Sequence, residues 1–201
     1  MIVVVKVIHS FDEEYYQRYY DDPKTSVASQ ESVLTLADFV CSYLKHIGQP
    51  VTQVIDMGCG MGFWRKGIER HFPEASYTGV ERSDYLCERM GWTRGSVLDF
   101  KTRRKAELVI CQGVLQYLND AQCRKAITNL AKLSRGALYL EALTTTDWEE
   151  VCDQDVTDGN VYLRPGSWYR GELAKYFTNC GGGLFLTDSS EGSLYELEKL
   201  D

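Results

Sequence analysis

Three histidines, at positions 9, 46 and 71, are too scattered to offer metal-ligand spacing, and no two cysteines stand in C-x-x-C order. No zinc site is readable from such a pattern. The seven cysteines, at 41, 59, 87, 111, 123, 152 and 180, are odd in number and irregular in spacing. They fit reduced thiols in a cytoplasmic protein rather than a disulfide framework. Long apolar runs are missing too: Met1-Ile2-Val3-Val4-Val5 is followed at once by Lys6 and His9. It is too short for a membrane span and lacks the form of a signal peptide. Positive charge is scarce, with 22 Lys and Arg against 29 Asp and Glu and a net charge of −7. That balance argues against binding dominated by phosphate contacts and so against a nucleic-acid partner. The exception, Lys101, Arg103, Arg104 and Lys105, reads as a solvated face rather than a nucleic-acid patch. Neither an internal repeat nor a linker interrupts the 201 residues. A chain of this size makes one domain that buries about 70% of its unfolded surface.

The most informative stretch that is present runs Val54-Ile55-Asp56-Met57-Gly58-Cys59-Gly60-Met61-Gly62. Residues 51–55 predict a short buried strand, because Val and Ile suit a pleated surface. Glycines at 58, 60 and 62 then remove three Cβ atoms where the chain turns, so that a ligand can lie against the backbone. Phe63 and Trp64 open a helix. The loop differs from the dinucleotide fingerprint G-x-G-x-x-G, since Phe63 fills the place of its third glycine. Asp56 would repel a pyrophosphate but suits an ammonium group, directly or through water, at about 1.5 to 3 kcal/mol for a charge-assisted hydrogen bond.

Further strand ends follow in order. Residues 76–80 form a second strand pattern ending in Glu81, Gly95 to Phe100 follow a third short strand, and residues 107–111 form a fourth that leads into Gln112. With the motif acid-x-Gly-x-Gly-x-Gly after its first strand, the chain resembles the class I S-adenosylmethionine-dependent methyltransferases, most closely over about residues 50–142. The resemblance implies S-adenosylmethionine as cofactor, with Asp56, Gly58, Cys59, Gly60 and Gly62 forming its loop. It also gives Glu81, with Arg82, the ribose hydroxyls, and Ser96, Val97 and Leu98 the adenine edge. Cys111 and Gln112 stand at the end of the fourth strand. A solvated strand-end carboxylate is the plainer reading of Glu81. The implied fold is α/β, a doubly wound seven-stranded mixed sheet of order 3-2-1-4-5-7-6, last strand antiparallel, with helices on both faces.

Along the chain, Phe11, Tyr15, Tyr16, Tyr19 and Tyr20 recur at helical spacing between Asp12 and Pro23. They read either as a face packed on the domain or, over residues 1–28, as a cap on the cofactor, with Tyr16 and Tyr20 in contact with cofactor or substrate. Ser29 caps a helix to about Ile47. Further helices are predicted at 64–71, at 84–90, and after Asn119 or Asp120, with a fifth strand at 136–142. Residues 143–182 form a polar, acidic insertion on the substrate side. Within it Ser167 is predicted to cap a helix that Gly181, Gly182 and Gly183 end, and 184–188 with 193–198 read as a closing hairpin.

The cofactor brings its own activated methyl group, so the protein's task is to align an acceptor. Tyr117 is a candidate to orient it, or else a packed aromatic. Arg164 or Arg170 is expected to grip an anionic acceptor group while Trp168 and Tyr169 wall the pocket, unless these arginines simply pair with nearby surface acids. The segment Cys111 to Val114 lacks the Pro-Pro-aromatic signature of amino-methylating DNA enzymes. No Pro-Cys nucleophile, no arginine-methyltransferase glutamate pair and no acidic metal triad stands out. A small molecule methylated at oxygen or nitrogen by a monomer or homodimer is the resulting expectation. The alternatives are a protein or RNA methyltransferase, an inactive S-adenosylmethionine-binding partner subunit and, more remotely, a nicotinamide oxidoreductase.

Overall fold

The computed structural model describes residues 11–21 and 29–200. Met1 to Val5, His9, Pro23 and the remaining parts of the 1–28 cap lie outside them. The chain runs α1 (Glu13–Tyr16), a π-helical turn (Gln17–Asp21), α2 (Gln30–His46), β1 (Gln53–Met57), α3 (Phe63–His71), β2 (Ser76–Glu81), α4 (Asp84–Met90) and β3 (Thr93–Arg94). It continues with β4 (Ala106–Gln112), α5 (Asp120–Leu133), β5 (Ser134–Glu141), α6 (Thr145–Glu150), α7 (Gly166–Leu173), β6 (Thr178–Gly181) and β7 (Leu184–Leu186). Seven strands form one sheet of order β3-β2-β1-β4-β5-β7-β6, in which β7 alone runs antiparallel to its neighbours.

Alternation along the central strands sends side chains to two cores. Val109 and Cys111 of β4 join Ile127, Leu130 and Leu173 of α5 and α7 on one face. Leu108 and Ile110 join Val40, Leu44 and Ile68 of α2 and α3 on the other. Because both faces are covered, β4 is apolar at nearly every position, as parallel strands between helices require. Ser29 is the N-cap of α2 and accepts from Ser32 N, while Asn119 caps α5 and accepts from Gln122 N.

Four sequence expectations need correction. β1 lies two residues later than 51–55, so Asp56 sits inside the strand, paired with Gly79 and Ile110, and is buried. Ser167 lies within α7, whose N-cap is Pro165. Gly181, Gly182 and Gly183 do not end that helix. With φ of +78°, +56° and +78° they turn the β6–β7 hairpin, and residues 196–198 form a 3-10 turn instead of a strand. Left-handed glycines serve helix ends and hairpin turns alike, and here Leu184 to Leu186 needed a partner next to them.

Strand order reverses between β1 and β4, and their carboxyl ends open a crevice of the kind in which doubly wound sheets bind ligands.

Candidate active site

Each glycine of the loop has its own reason to lack a side chain. A Cβ on Gly58 would lie 2.4 Å from Val114 Cγ2, and one on Gly62 would lie 2.5 Å from the Trp92 ring. Gly62 thus makes room for an indole rather than for a ligand, and the Trp92 Nε1–H donates to Gly60 O at 2.9 Å. Gly60 is different: a Cβ there meets nothing nearer than 4.0 Å. It faces open space, which is where a ligand can lie against the backbone.

Two carboxylates border that space. Glu81, at the end of β2, accepts from Gly60 N at 3.0 Å through one oxygen and from Arg82 N and Ser83 N at 2.7 and 2.9 Å through the other. A carboxylate has about four acceptor positions, so one remains for a ligand hydroxyl, and a second hydroxyl would have to displace Gly60 N. Asp56 is buried and accepts from the Tyr77 hydroxyl at 2.5 Å. Burial pushes its carboxyl up to about 7, against the Tyr77 hydrogen bond and with the Glu81 charge adding to the rise.

A helix from the N-terminal segment lies over this crevice. The Ser83 hydroxyl donates to Phe11 O at 2.5 Å, the Tyr15 and Tyr117 hydroxyls share a 2.9 Å hydrogen bond, and the Phe11 ring meets both tyrosines edge-on. Beneath it Tyr16, Tyr20, Gly58, Gly60, Glu81, Arg82, Ser96, Val97, Gln112 and Tyr117 line one cleft. Burial pushes the Tyr15, Tyr16 and Tyr117 hydroxyls well above the usual range and Tyr20 up to about 12. All four are therefore neutral near pH 7 and do not act there as tyrosinate bases.

A larger cavity of about 720 Å³ continues from Asp56, Cys59 and Gln112 towards Tyr117, Gln116, Glu141 and the insertion. On its wall the Trp64 Nε1–H donates to Gln112 Oε1 at 2.8 Å. The Gln112 amide nitrogen donates to Glu141 at 3.3 Å, and the Tyr139 hydroxyl donates to the same carboxylate at 3.0 Å. The insertion supplies another wall, from Leu143 to Asp158, held by the Thr144 cap of α6 and by Tyr162 N, which donates to Gln116 O at 2.7 Å. Among the described residues no three His, Cys, Asp or Glu side chains group as a metal site, and no helix is long and apolar enough to cross a membrane.

The expected arginine grip is not there. Arg164 is 4% exposed and spends its guanidinium on the protein itself. It donates to Asp120 Oδ1 at 2.8 Å, to the Tyr169 hydroxyl at 3.1 Å and to the carbonyls of Leu118, Tyr162 and Leu115. Its charge also lies 4.9 Å from the Trp168 ring centroid. Trp168 and Tyr169 pack with the α5–α7 core, and Arg170 is exposed on α7. Cys111 is fully buried in that same core, and Leu98 packs against it. The structure brings together Tyr16, Tyr20, Asp56, Gly58, Cys59, Gly60, Glu81, Arg82, Ser96, Val97, Gln112 and Tyr117. It leaves out Gly62, Leu98, Cys111, Arg164, Trp168, Tyr169 and Arg170.

Sequence reasoning overlooked Tyr15, Gln116, Glu141, Asp147, Asp153 and Asp158, all of which line the larger cavity. Signals existed for some. Tyr15 belongs to the aromatic stripe, and Glu141 ends the fifth strand just as Glu81 ends the second.

No family model matches the chain. It is 26% identical over 148 residues to the trans-aconitate 2-methyltransferase of Pseudomonas paraeruginosa, an alignment covering 70% of this chain and 45% of that protein. The chain thus spans less than half the length of this relative. Among solved structures, the sugar N-methyltransferase KedS8 from Streptoalloteichus sp. superposes with a TM-score of 0.61 at 18% identity, covering 86% of this chain and 91% of that one. The plantazolicin methyltransferase BpumL, in complex with a monoazolic desmethylPZN analog and SAH, gives a TM-score of 0.61 at 15% identity over 80% and 72% of the two chains. The chain has the class I methyltransferase fold, and its structural neighbours are S-adenosylmethionine-dependent methyltransferases.

Proposed function

We propose that this chain is an S-adenosylmethionine-dependent methyltransferase that acts on an oxygen or nitrogen atom of a small molecule. We extend the reading to a cytoplasmic monomer or homodimer made of one domain, with its N-terminal segment and the start of its insertion closing the site. The observation that carries it is Gly60: a left-handed glycine with open space where its Cβ would be, flanked by Asp56 and Glu81 at the switch point of the sheet. That cradle suits a ligand with an ammonium group and a ribose, and it presents carboxylates where a pyrophosphate would need donors.

When bound, S-adenosylmethionine supplies a methyl group made electrophilic by a sulfonium. The chain's own residues do the rest. Glu81 offers an acceptor to a ribose hydroxyl, Asp56 offers charge to the ammonium end, and Tyr16 and Tyr20 cover the cleft with neutral rings. The Tyr15–Tyr117 pair sits where both cavities meet and fixes the wall beside the acceptor. Alignment of this sort can lower a barrier by about 7 to 11 kcal/mol. If the acceptor must lose a proton, the cavity offers carboxylates, since no histidine stands among its described lining residues and Tyr15, Tyr20 and Tyr117, three of its four tyrosines, are held protonated.

Paired glycine variants test the reading. Gly60→Ala places a methyl group in the cradle at a backbone cost of about 1 to 2 kcal/mol for the left-handed conformation. It is expected to keep the fold and to weaken S-adenosylhomocysteine binding at least tenfold, measured by calorimetry. Gly62→Ala should chiefly lower the melting temperature, because its methyl group meets Trp92. Undiminished binding by Gly60→Ala would remove the observation on which the reading stands.

A further inference from the structure

Gly79 lies inside β2, where a residue without a side chain weakens a strand and marks a place of close approach. The neighbour is Trp92. A Cβ on Gly79 would lie 2.6 Å from the Trp92 ring, as one on Gly62 would lie 2.5 Å from it, so a strand and the glycine loop each give up a side chain to seat one indole. Trp92 stands between the left-handed Gly91 that ends α4 and the start of β3, whose Thr93 and Arg94 pair with Val80 and Glu81. That pairing ties the indole to the strand that carries Glu81. Trp92 lines neither the cleft nor the larger cavity, so it grips the loop without facing a ligand there. Its grip falls on Gly60. The two polar groups that flank the Gly60 Cα are both engaged: the N–H donates to Glu81 at 3.0 Å, and the carbonyl accepts from Trp92 Nε1–H at 2.9 Å. Together they fix a glycine, at φ of +50°, that has no Cβ to restrict it.

The bond from Gly60 N–H to Glu81 is the one that a second ribose hydroxyl has to displace. Once it is displaced, Trp92 is the remaining side chain among the described residues that holds Gly60 by a hydrogen bond. We infer that Trp92 is a positioning residue for the cofactor, whose indole N–H keeps Gly60 in its ligand-ready conformation while a ribose takes over the Glu81 carboxylate. The inference rests on the methyltransferase reading and adds to it a residue outside both cavities. An indole that only fills the space left by Gly62 and Gly79 would act through its ring, and its N–H would be dispensable. The positioning role resides in that single donor. Without it, binding must order the Gly60 backbone anew and affinity falls.

Replacing Trp92 in the full chain by 3-benzothienylalanine separates the two roles, since sulfur takes the place of the N–H within the same bicyclic outline. Trp92→Phe is the comparison, because it loses the donor and leaves a gap as well. The benzothienylalanine chain should have a higher urea midpoint than Trp92→Phe, yet both should bind S-adenosylhomocysteine at least about threefold more weakly than the wild type, by calorimetry. A smaller loss of affinity in the benzothienylalanine chain overturns the inference. A second measurement depends on neither substitution: in nitrogen-15 spectra of the wild type, the Trp92 indole N–H should exchange with solvent at least about threefold more slowly once S-adenosylhomocysteine is bound. Exchange that is unchanged or faster overturns the inference even if neither altered chain folds. Failure of the donor reading is separately visible, because the wild type itself would then not bind S-adenosylhomocysteine.

Discussion

Arg164→Ala is expected to lose about 3 to 5 kcal/mol of folding stability, since each buried acceptor left without its donor costs about 1 to 3 kcal/mol. The reason lies in what the guanidinium serves. The carbonyls of Leu115 and Leu118 and the Tyr169 hydroxyl receive its donors inside the protein, where water would not replace them. Asp120 contributes less, because its side chain is 61% exposed and stays solvated when the partner is removed. Asp120→Ala should cost less than Arg164→Ala, because the other donors of the guanidinium keep their acceptors. Lysine at 164 cannot restore the loss, since one ammonium does not reproduce a five-donor planar fork that also faces Trp168. Urea denaturation of the three variants separates this from a substrate-binding role, which would leave the midpoint unchanged and alter acceptor affinity alone. An Arg164→Ala midpoint equal to that of the wild type would refute the structural role.

Asp56→Asn is expected to do the opposite at neutral and higher pH and to stabilise the fold. The carboxyl titrates near its ordinary value of 3.8 in the unfolded chain and at about 7 in the folded one, mainly because it is buried. Below pH 3.8 both states hold the proton and the group contributes nothing to the difference. Between pH 3.8 and about 7 the unfolded chain ionises first, so stability falls as pH rises, by up to about 4 kcal/mol, and then stays level. Asparagine does not titrate, and its amide oxygen can still accept from Tyr77. The variant should match the wild type near pH 4 and exceed it at pH 8 by up to about 4 kcal/mol, or about 10 °C in melting temperature. Its affinity for S-adenosylmethionine should fall at the same time, because the ammonium end loses its counter-charge. Stability curves for variant and wild type that run parallel from pH 4 to pH 8 would rule out a raised Asp56 carboxyl.

The core of the crevice was legible because its signals are local. Asp56, the glycine loop and Glu81 each lie within a few residues of a strand end, and strand ends follow from apolar runs bounded by glycine or acid. The sheet order came with the resemblance that those residues carry. What sequence missed depends on contacts distant in the chain. Gly62 resembles a ligand glycine until Trp92 is found against it. Arg164 resembles an exposed substrate clamp because it sits among polar residues, and only folding brings it to the carbonyls of Leu115 and Leu118. Nothing in the sequence singles out Gln116, whose buried oxygen has no hydrogen-bond partner among the described residues and whose backbone carbonyl accepts from Tyr162 N. The acids of the insertion are legible only as part of a polar, substrate-side segment, and nothing in their spacing shows that Asp153 and Asp158 line the same cavity as Glu141.

Titration of the purified full chain with S-adenosylmethionine and, separately, with NAD is the most direct test of the account. It predicts one saturable site for S-adenosylmethionine, binding that weakens as pH falls through about 7 as Asp56 takes up its proton, and no heat with NAD. Saturable NAD binding with none for S-adenosylmethionine would contradict it.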